Sequence, residues 1–367
     1  MAVTGHAGDA GAVDARLPPL AAAAVLRAAV CLAQAATVLV TWKVWEPRAS
    51  PPMLPLVDLP GFPAGWAMLG SLAVVAARPR IGVPLHAAVL SLAIVADQSR
   101  LQPHVISLAT LLWATTGGPG GLVVARASLA ALWTFAGIHK LTSPAFYSEG
   151  GMWLLRGVWP GGPPWLGPVL AAAVAMTEIF LGVGCLVPGV RRAVAVAAAV
   201  FHVATFAVLA GRLRWDVPVW PWNLALAVAG PMVLLAWRGR GLGEEWAAAT
   251  RAARAIAVAL LLLPSGYWFG VVDAFLAHCI YADNRPKAYV CTPFTRTDLD
   301  AICLRMGVVL PPAHRLYAPF FRGVGRPGEW LEVEDPRWIA RLRGFASRKI
   351  VWEEIAADAD PPPADRR

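Results

Sequence analysis

Long apolar runs alternate with short polar breaks along most of this chain, and within a run the apolar residues are continuous rather than every second position. Nine such runs stand at residues 20–41, 62–77, 81–96, 101–116, 122–141, 165–187, 190–209, 218–237 and 252–277. At 1.5 Å per residue, runs of this length are commensurate with a hydrocarbon core of roughly 30 Å. Continuous runs predict helices, because lipid offers the backbone no hydrogen-bond partner. The pattern predicts an all-α polytopic membrane protein of about nine transmembrane helices with a small α+β C-terminal extramembrane appendage. Its expected domains are a flexible tail at 1–19, the helical domain at 20–277 and the appendage at 278–367.

The breaks carry turn chemistry. Residues 43–60 hold five prolines and predict an irregular loop, and Gly117–Gly121 predict a turn. Residues 142–164, with Tyr147, Glu149, Trp153, Arg156 and a Pro/Gly cluster, suit an interfacial or re-entrant segment. In the appendage, 279–283 and 287–291 alternate around Asn284-Arg285-Pro286 and predict a hairpin. That register sets Cys279 opposite Cys291, where a disulfide is expected if the appendage lies in an oxidising compartment. Thr297–Met306 and Trp338–Ala346 predict helices, and Trp330–Val333 a strand.

Composition agrees with the pattern. Of 367 residues, 57% are hydrophobic and only 15% charged, against about 25% charged in soluble domains. The 17 Trp include expected interfacial anchors at Trp42, Trp45, Trp215, Trp220, Trp222 and Trp237. A net charge of +9 speaks of topology and anionic headgroups rather than of nucleic acid. Residues 1–19 lack the basic, apolar, small-residue order of a cleavable signal. With the N-terminus inside, nine arginines flank the inner ends and seven basic residues the outer ends. This bias puts the appendage outside a plasma (inner) membrane.

Helix parity places several ionisable residues at one face. Helix four starts, helix five ends and helix eight starts there, so His104, Lys140 and the Trp220–Asn223 corner share a depth. Asp97, Arg100 and Asp216 lie just beyond. Ionisable groups from several helices at one depth mark a candidate site. Lys140 is either a snorkelling anchor or a general base activated by desolvation. His139 and His104 can hydrogen-bond a developing anion. Well inside their helices, Glu178 is either a protonated or hydrogen-bonded packing carboxyl or a functional group, and His202 either an interhelical hydrogen-bonder or a catalyst. Asn223, beside Trp222, either caps its helix or contacts a ligand head. Lys140 and His104 are expected to face one cavity. No zinc spacing is present, and the glycine-rich stretches lack a nucleotide-loop context.

Phe135-Ala136-Gly137-Ile138-His139-Lys140-Leu141 resembles the "AGxxKL" segment of the vitamin K-dependent gamma-carboxylases and their bacterial relatives, which share the horizontally transferred transmembrane (HTTM) domain. Asp97–His104 resembles the family's loop and helix start with a functional histidine. Glu178 sits where the family's next helix is often acidic. Val200-Phe201-His202 followed by the Arg212–Asn223 corner resembles its "FH" helix and "FPW"-like turn. The resemblance covers roughly residues 60–240. Pro103 stands where those carboxylases commonly have Asn, and the large extramembrane region of the animal enzymes is lacking.

The resemblance implies Lys140 as the base that deprotonates a membrane quinol of the vitamin K type and His104 as an aid that stabilises an anion; His139, beside Lys140, is the third catalytic candidate. His202, Trp222, Asn223 and Glu178 would bind the quinone/hydroquinone, with no metal. It implies an integral membrane enzyme of the lyase or quinone-linked oxidoreductase type, driving oxidation-linked proton abstraction or carboxylation. A peptide or protein substrate would be met at the appendage face. The alternative is a non-enzymatic membrane protein whose appendage binds a protein partner.

Overall fold

The computed structural model describes residues 19–235 and 242–357. The tail at 1–18, the Trp237 anchor and the flanking arginines 238 and 240 lie outside the described residues.

From its start, α1 (Pro19–Val40) leads into a single turn, α2 (Trp42–Trp45), and the proline-rich loop. Next come α3 (Ala64–Ala77), α4 (Pro79–Ala96) and α5 (Pro103–Leu111), the last tightening into a 3-10 turn at Leu112–Thr116. Gly117 then takes a left-handed conformation at φ 85°, and Pro119 opens α6 (Pro119–Leu141), the pairing of C-terminal Gly with N-terminal Pro that punctuates helices. A π-helical turn at Phe146–Gly150 and α7 (Gly151–Val158) fill the expected interfacial stretch. The helical part continues with α8 (Leu166–Gly184) and α9 (Arg191–Phe206), the latter ending in a second π turn at Ala207–Leu213. It closes with α10 (Val219–Leu235), α11 (Leu242–Ala248) and α12 (Arg251–Leu262), the last running on as 3-10 to Phe269.

Six of these helices are long and apolar enough to cross a membrane: α1, α4, α6, α8, α9 with its π turn, and α12 with its 3-10 turn. The other runs of the expected nine form helix as well, but α3 and α10 are shorter apolar helices and α5 ends at Leu111. Pro63 before α3 and the Arg78-Pro79 break behind it set the shorter length. The ninth run also stops early. Gly270 turns left-handed at φ 72°, so Asp273 lies beyond the helix, where it pairs with Arg315.

The hub is α6. Within its apolar window 72% of residues are buried, against 22–39% in the other five long helices. Alanines along its length let α8, α12, α5 and α10 approach it, the close packing that small residues permit between helices in lipid.

The appendage is a four-stranded antiparallel sheet with helices. Its order is β2-β1-β3-β4, from β1 (Lys287–Cys291), β2 (Arg296–Asp298), β3 (Trp330–Glu334) and β4 (Ser347–Val351). The helices are α13 (Leu299–Arg305), α14 (His314–Val324), α15 (Trp338–Leu342) and α16 (Trp352–Ala357). Alternation sends Ala288, Val290, Leu331 and Val333 into the core against Leu316, Tyr317, Phe320 and Phe321 of α14. The same apolar cluster runs on to Val38, Met68, Leu90 and Val105 of the bundle, so the appendage is packed onto the helices.

The hairpin around residue 285 does not form. Lys287–Cys291 instead pairs with β2 and with β3, Val290 facing Thr297 and Leu331. Residues 279–283 form no strand, and Pro286 lacks the N–H that would extend the ladder into them. Cys279 and Cys291 are accordingly buried free thiols, as are the other three cysteines. The expected helix at 297–306 yields its first residues to β2, and α13 starts after Asp298, whose side chain accepts from Asp300 N. The helix expected to Ala346 ends at Leu342.

Candidate functional site

Two glycines bring α6 and α8 together. A Cβ on Gly137 would stand 2.6 Å from the Ala175 carbonyl oxygen, and one on Gly182 2.4 Å from Thr134 N. At this separation Lys140, one turn beyond Gly137, reaches Glu178, one turn before Gly182. Lys140 Nζ donates to both carboxylate oxygens, at 2.9 and 2.8 Å. Side-chain exposures of 5% and 11% show that the lysine does not reach out of the bundle as a snorkelling anchor would.

The pair lies on the wall of a cavity of about 240 Å³ enclosed by α6 to α10. Apart from this pair, its surface is dominated by aliphatic groups and the rings of Trp133, Phe146, Trp153 and Phe201. Both π-helical turns border it, through Phe146 and through Val208 and Leu209; such turns are frequent at functional sites. On one side it reaches the outer surface of the bundle at Val158 and Ala204, both exposed.

His202 and Asn223, two of the expected ligand-binding residues, also line this cavity, but their polar atoms are committed to each other. Trp133 Nε1 donates to His202 Nε2 at 2.9 Å. An acceptor at Nε2 assigns the proton to Nδ1, which donates to Asn223 Oδ1, also 2.9 Å away. Asn223 Nδ2 in turn donates to the Val219 carbonyl. The network joins α6, α9 and α10, with the imidazole neutral and both of its nitrogens occupied. Trp222 lines the cavity as well, its Nε1 donating to Ser107 Oγ at 2.8 Å.

His104 belongs elsewhere. It lines a second cavity of about 490 Å³ between the bundle and the appendage, with its ring 6.3 Å from that of Trp222. Trp222, Ile280 and Tyr281 contribute to both cavities, so Lys140 and His104 face opposite sides of a shared wall rather than one space. His139 faces neither: its ring stacks on Trp268 at 4.8 Å and meets the edge of Tyr267 at 4.9 Å. One helical step of about 100° separates it from Lys140 and turns it toward the segment after α12.

Asp97 and Arg100, expected near the site, fasten the proline-rich loop. Asp97 pairs with Arg48 at 2.7 Å and accepts from Leu54 N, and Arg100 donates to the Val44 and Ala93 carbonyls. Of the expected interfacial tryptophans, Trp45 and Trp222 are instead buried. Sequence reasoning missed Trp133, although it shares the Gly137–Lys140 face of α6 at a spacing of seven residues. It also missed Tyr281 and Arg285, which nothing in the local pattern connects to the bundle. Among the described residues no cluster of three or more His, Cys, Asp or Glu is placed to hold a metal ion.

Comparison of the chain with known protein families, curated proteins and solved structures finds no match.

Proposed function

We propose that this is a multi-pass inner-membrane enzyme of about nine spans, in which the Lys140–Glu178 pair exchanges a proton with an apolar ring-hydroxyl ligand of the hydroquinone class. The observation that carries this reading is a buried ammonium–carboxylate pair on the wall of an otherwise apolar, aromatic-lined cavity that reaches the outer surface of the bundle. Such a pair is costly to desolvate and is weak evidence for stability alone. Intramembrane ionisable residues that face a cavity instead mark sites. The resemblance of the Phe135–Leu141 segment to the gamma-carboxylases points to the same lysine.

The lining suits a flat, lipid-soluble ring: aromatic side chains pack its faces, and a single polar point can orient its hydroxyl. A bound hydroquinone would supply electrons and, together with oxygen, the driving force for abstracting a proton from a weak carbon acid. Lys140 as neutral amine takes the hydroxyl proton at Nζ, and the ammonium so formed remains within hydrogen-bond reach of Glu178. The pair rests as ammonium and carboxylate; passing that proton to Glu178 gives the equally net-neutral tautomer in which Lys140 is the free amine. His202 cannot replace Lys140 as base, because both of its nitrogens are occupied. Its place is to hold α9 and α10 in position around the ligand.

The test is the quinone content and turnover of the purified protein. Solvent extraction should yield a quinone at near one equivalent, and reduced quinol should drive oxygen uptake. Lys140→Arg should retain bound quinone yet lose turnover by at least a hundredfold, because guanidinium is not deprotonated at usable pH. Full turnover in Lys140→Arg overturns the assignment of Lys140 as base.

A further inference from the structure

The second cavity holds a carboxyl group that no cation among the described residues pairs with. Its lining holds one cation, Arg285, and two carboxylates, Asp300 and Asp216. Arg285 is spoken for, donating to Asp300 at 3.0 Å. Asp216 forms no ion pair among the described residues, and its side chain accepts only from the hydroxyl of Tyr281, at 2.5 Å. Burial raises the Asp216 carboxyl above its ordinary range, against the opposing Tyr281 hydrogen bond.

A second observation is independent of this carboxylate. His104 is only 7% exposed, lines the same cavity, and its ring has no hydrogen-bond partner among the described residues. A neutral imidazole in that position offers a lone pair to an N–H or O–H donor. Around these two acceptors stand aromatic side chains. The N–H groups of Trp45 and Trp222 are already engaged, by Thr41 and Ser107, which leaves ring carbon to meet a ligand. The backbone is strained where the wall is made: Asp216 and Tyr281 are non-glycine residues at φ 54° and φ 58°. Strain of this kind, of order 1–3 kcal/mol per residue, clusters at ligand clamps and active sites.

We infer that the cavity between the bundle and the appendage binds an organic amine in its cationic, N–H-bearing form, with Asp216 as counter-ion, His104 as neutral acceptor and the aromatic wall around the carbon skeleton. A carboxylate without a cation, an unpartnered imidazole and aromatic faces make up the complement of an ammonium group. An anionic ligand would meet Asp216 without relief, since the one guanidinium present is already neutralised. The inference concerns a separate site and does not rest on the quinone reading. Because the amine would lie across the Trp222–Ile280–Tyr281 wall from Lys140, it is in position to be a second substrate or an effector of the Lys140 cavity.

The experiment is calorimetric titration of the full-length protein in phosphatidylcholine nanodiscs, with empty discs subtracted and no quinone added. The probes are benzylammonium, benzyl alcohol and benzoate, which share a ring and differ in charge. Benzylammonium should bind saturably, benzyl alcohol at least tenfold more weakly and benzoate not at all. Asp216→Asn should weaken benzylammonium at least tenfold, while Tyr281→Phe, which frees the carboxylate, should retain or tighten it. Benzoate binding as well as benzylammonium overturns the inference. So does no benzylammonium binding above empty discs, or unchanged affinity in Asp216→Asn. The wild-type order of the three probes decides the charge class even where a variant fails to insert.

Discussion

Lys140 Nζ stands 2.9 and 2.8 Å from the oxygens of Glu178, so deleting either side chain strands the other charge in an apolar surrounding. A base that acts only in the transition state would leave folding nearly intact when truncated to alanine. The pair changes that expectation, because breaking a buried ion pair from one side costs about 3–5 kcal/mol. Lys140→Met and Glu178→Met should each destabilise by that order in chemical denaturation of the detergent-solubilised protein. The double variant should recover most of the loss; additive losses would show that the two groups are not coupled. Asp335 tests residue-scale electrostatics in the appendage. Burial would raise its carboxyl, but hydrogen bonds from His314 and Arg337 prevail and hold it at about 2, below its ordinary 3.8. A depressed carboxyl stabilises the native state above its unfolded value and loses that contribution as pH falls from about 4 through 2. The amount is about 2 kcal/mol. Asp335→Asn should therefore flatten the acid limb of appendage unfolding, followed by near-ultraviolet dichroism; an unchanged limb would exclude this role.

The α6–α8 pair is the element on which the site depends. Gly137 faces the Ala175 carbonyl oxygen and Ile179 N, backbone atoms that cannot rotate away, at 2.6 and 2.9 Å from an added Cβ. Gly137→Ala should thus push the helices apart, at a cost of about 1–3 kcal/mol from overpacking, and with them the Lys140–Glu178 contact. Gly161→Ala is the control, since a Cβ there meets nothing within 4 Å. A thermal midpoint for Gly137→Ala equal to that of Gly161→Ala would mean that the close crossing is not what sets the pair. The face of α6 that carries Trp133, Gly137 and Lys140 is difficult to read in advance. Nearly every position of this helix is apolar, so periodicity does not announce which stripe meets α8.

At the scale of the whole molecule, the appendage closes the face on which Lys140 ends. Asn284 donates to the His139 carbonyl, Asp283 N to Ser143, Gln102 to the Val309 carbonyl and Arg315 to Gln98. The second cavity exists only because this cover is in place. All five cysteines are buried and free, so denatured but unreduced protein should titrate five thiols; three would reveal a disulfide. Phe294, 94% exposed at the β1–β2 turn, then offers a clean reporter of sidedness. Phe294→Cys should react with an impermeant maleimide from the extracytoplasmic side of sealed vesicles, as the arginine bias predicts. Labelling only from the cytoplasmic side would reverse the topology.

The membrane class, the positions of the helices, the turn at Gly117 and the common face of Lys140 and the Trp222–Asn223 corner are legible in the sequence. Run length, backbone satisfaction in lipid and alternating direction determine them from local information. The partners are another matter. Lys140 meets Glu178 across 38 positions, Trp133 meets His202 across 69, and Asp216 meets Tyr281 across 65. Strand pairing is equally non-local: β1 takes β3 rather than the segment before Pro286. Such contacts depend on helix rotation and crossing distance, which glycines such as Gly137 and Gly182 set through close packing. An apolar pattern records that a residue is buried, and only the packed structure decides against what.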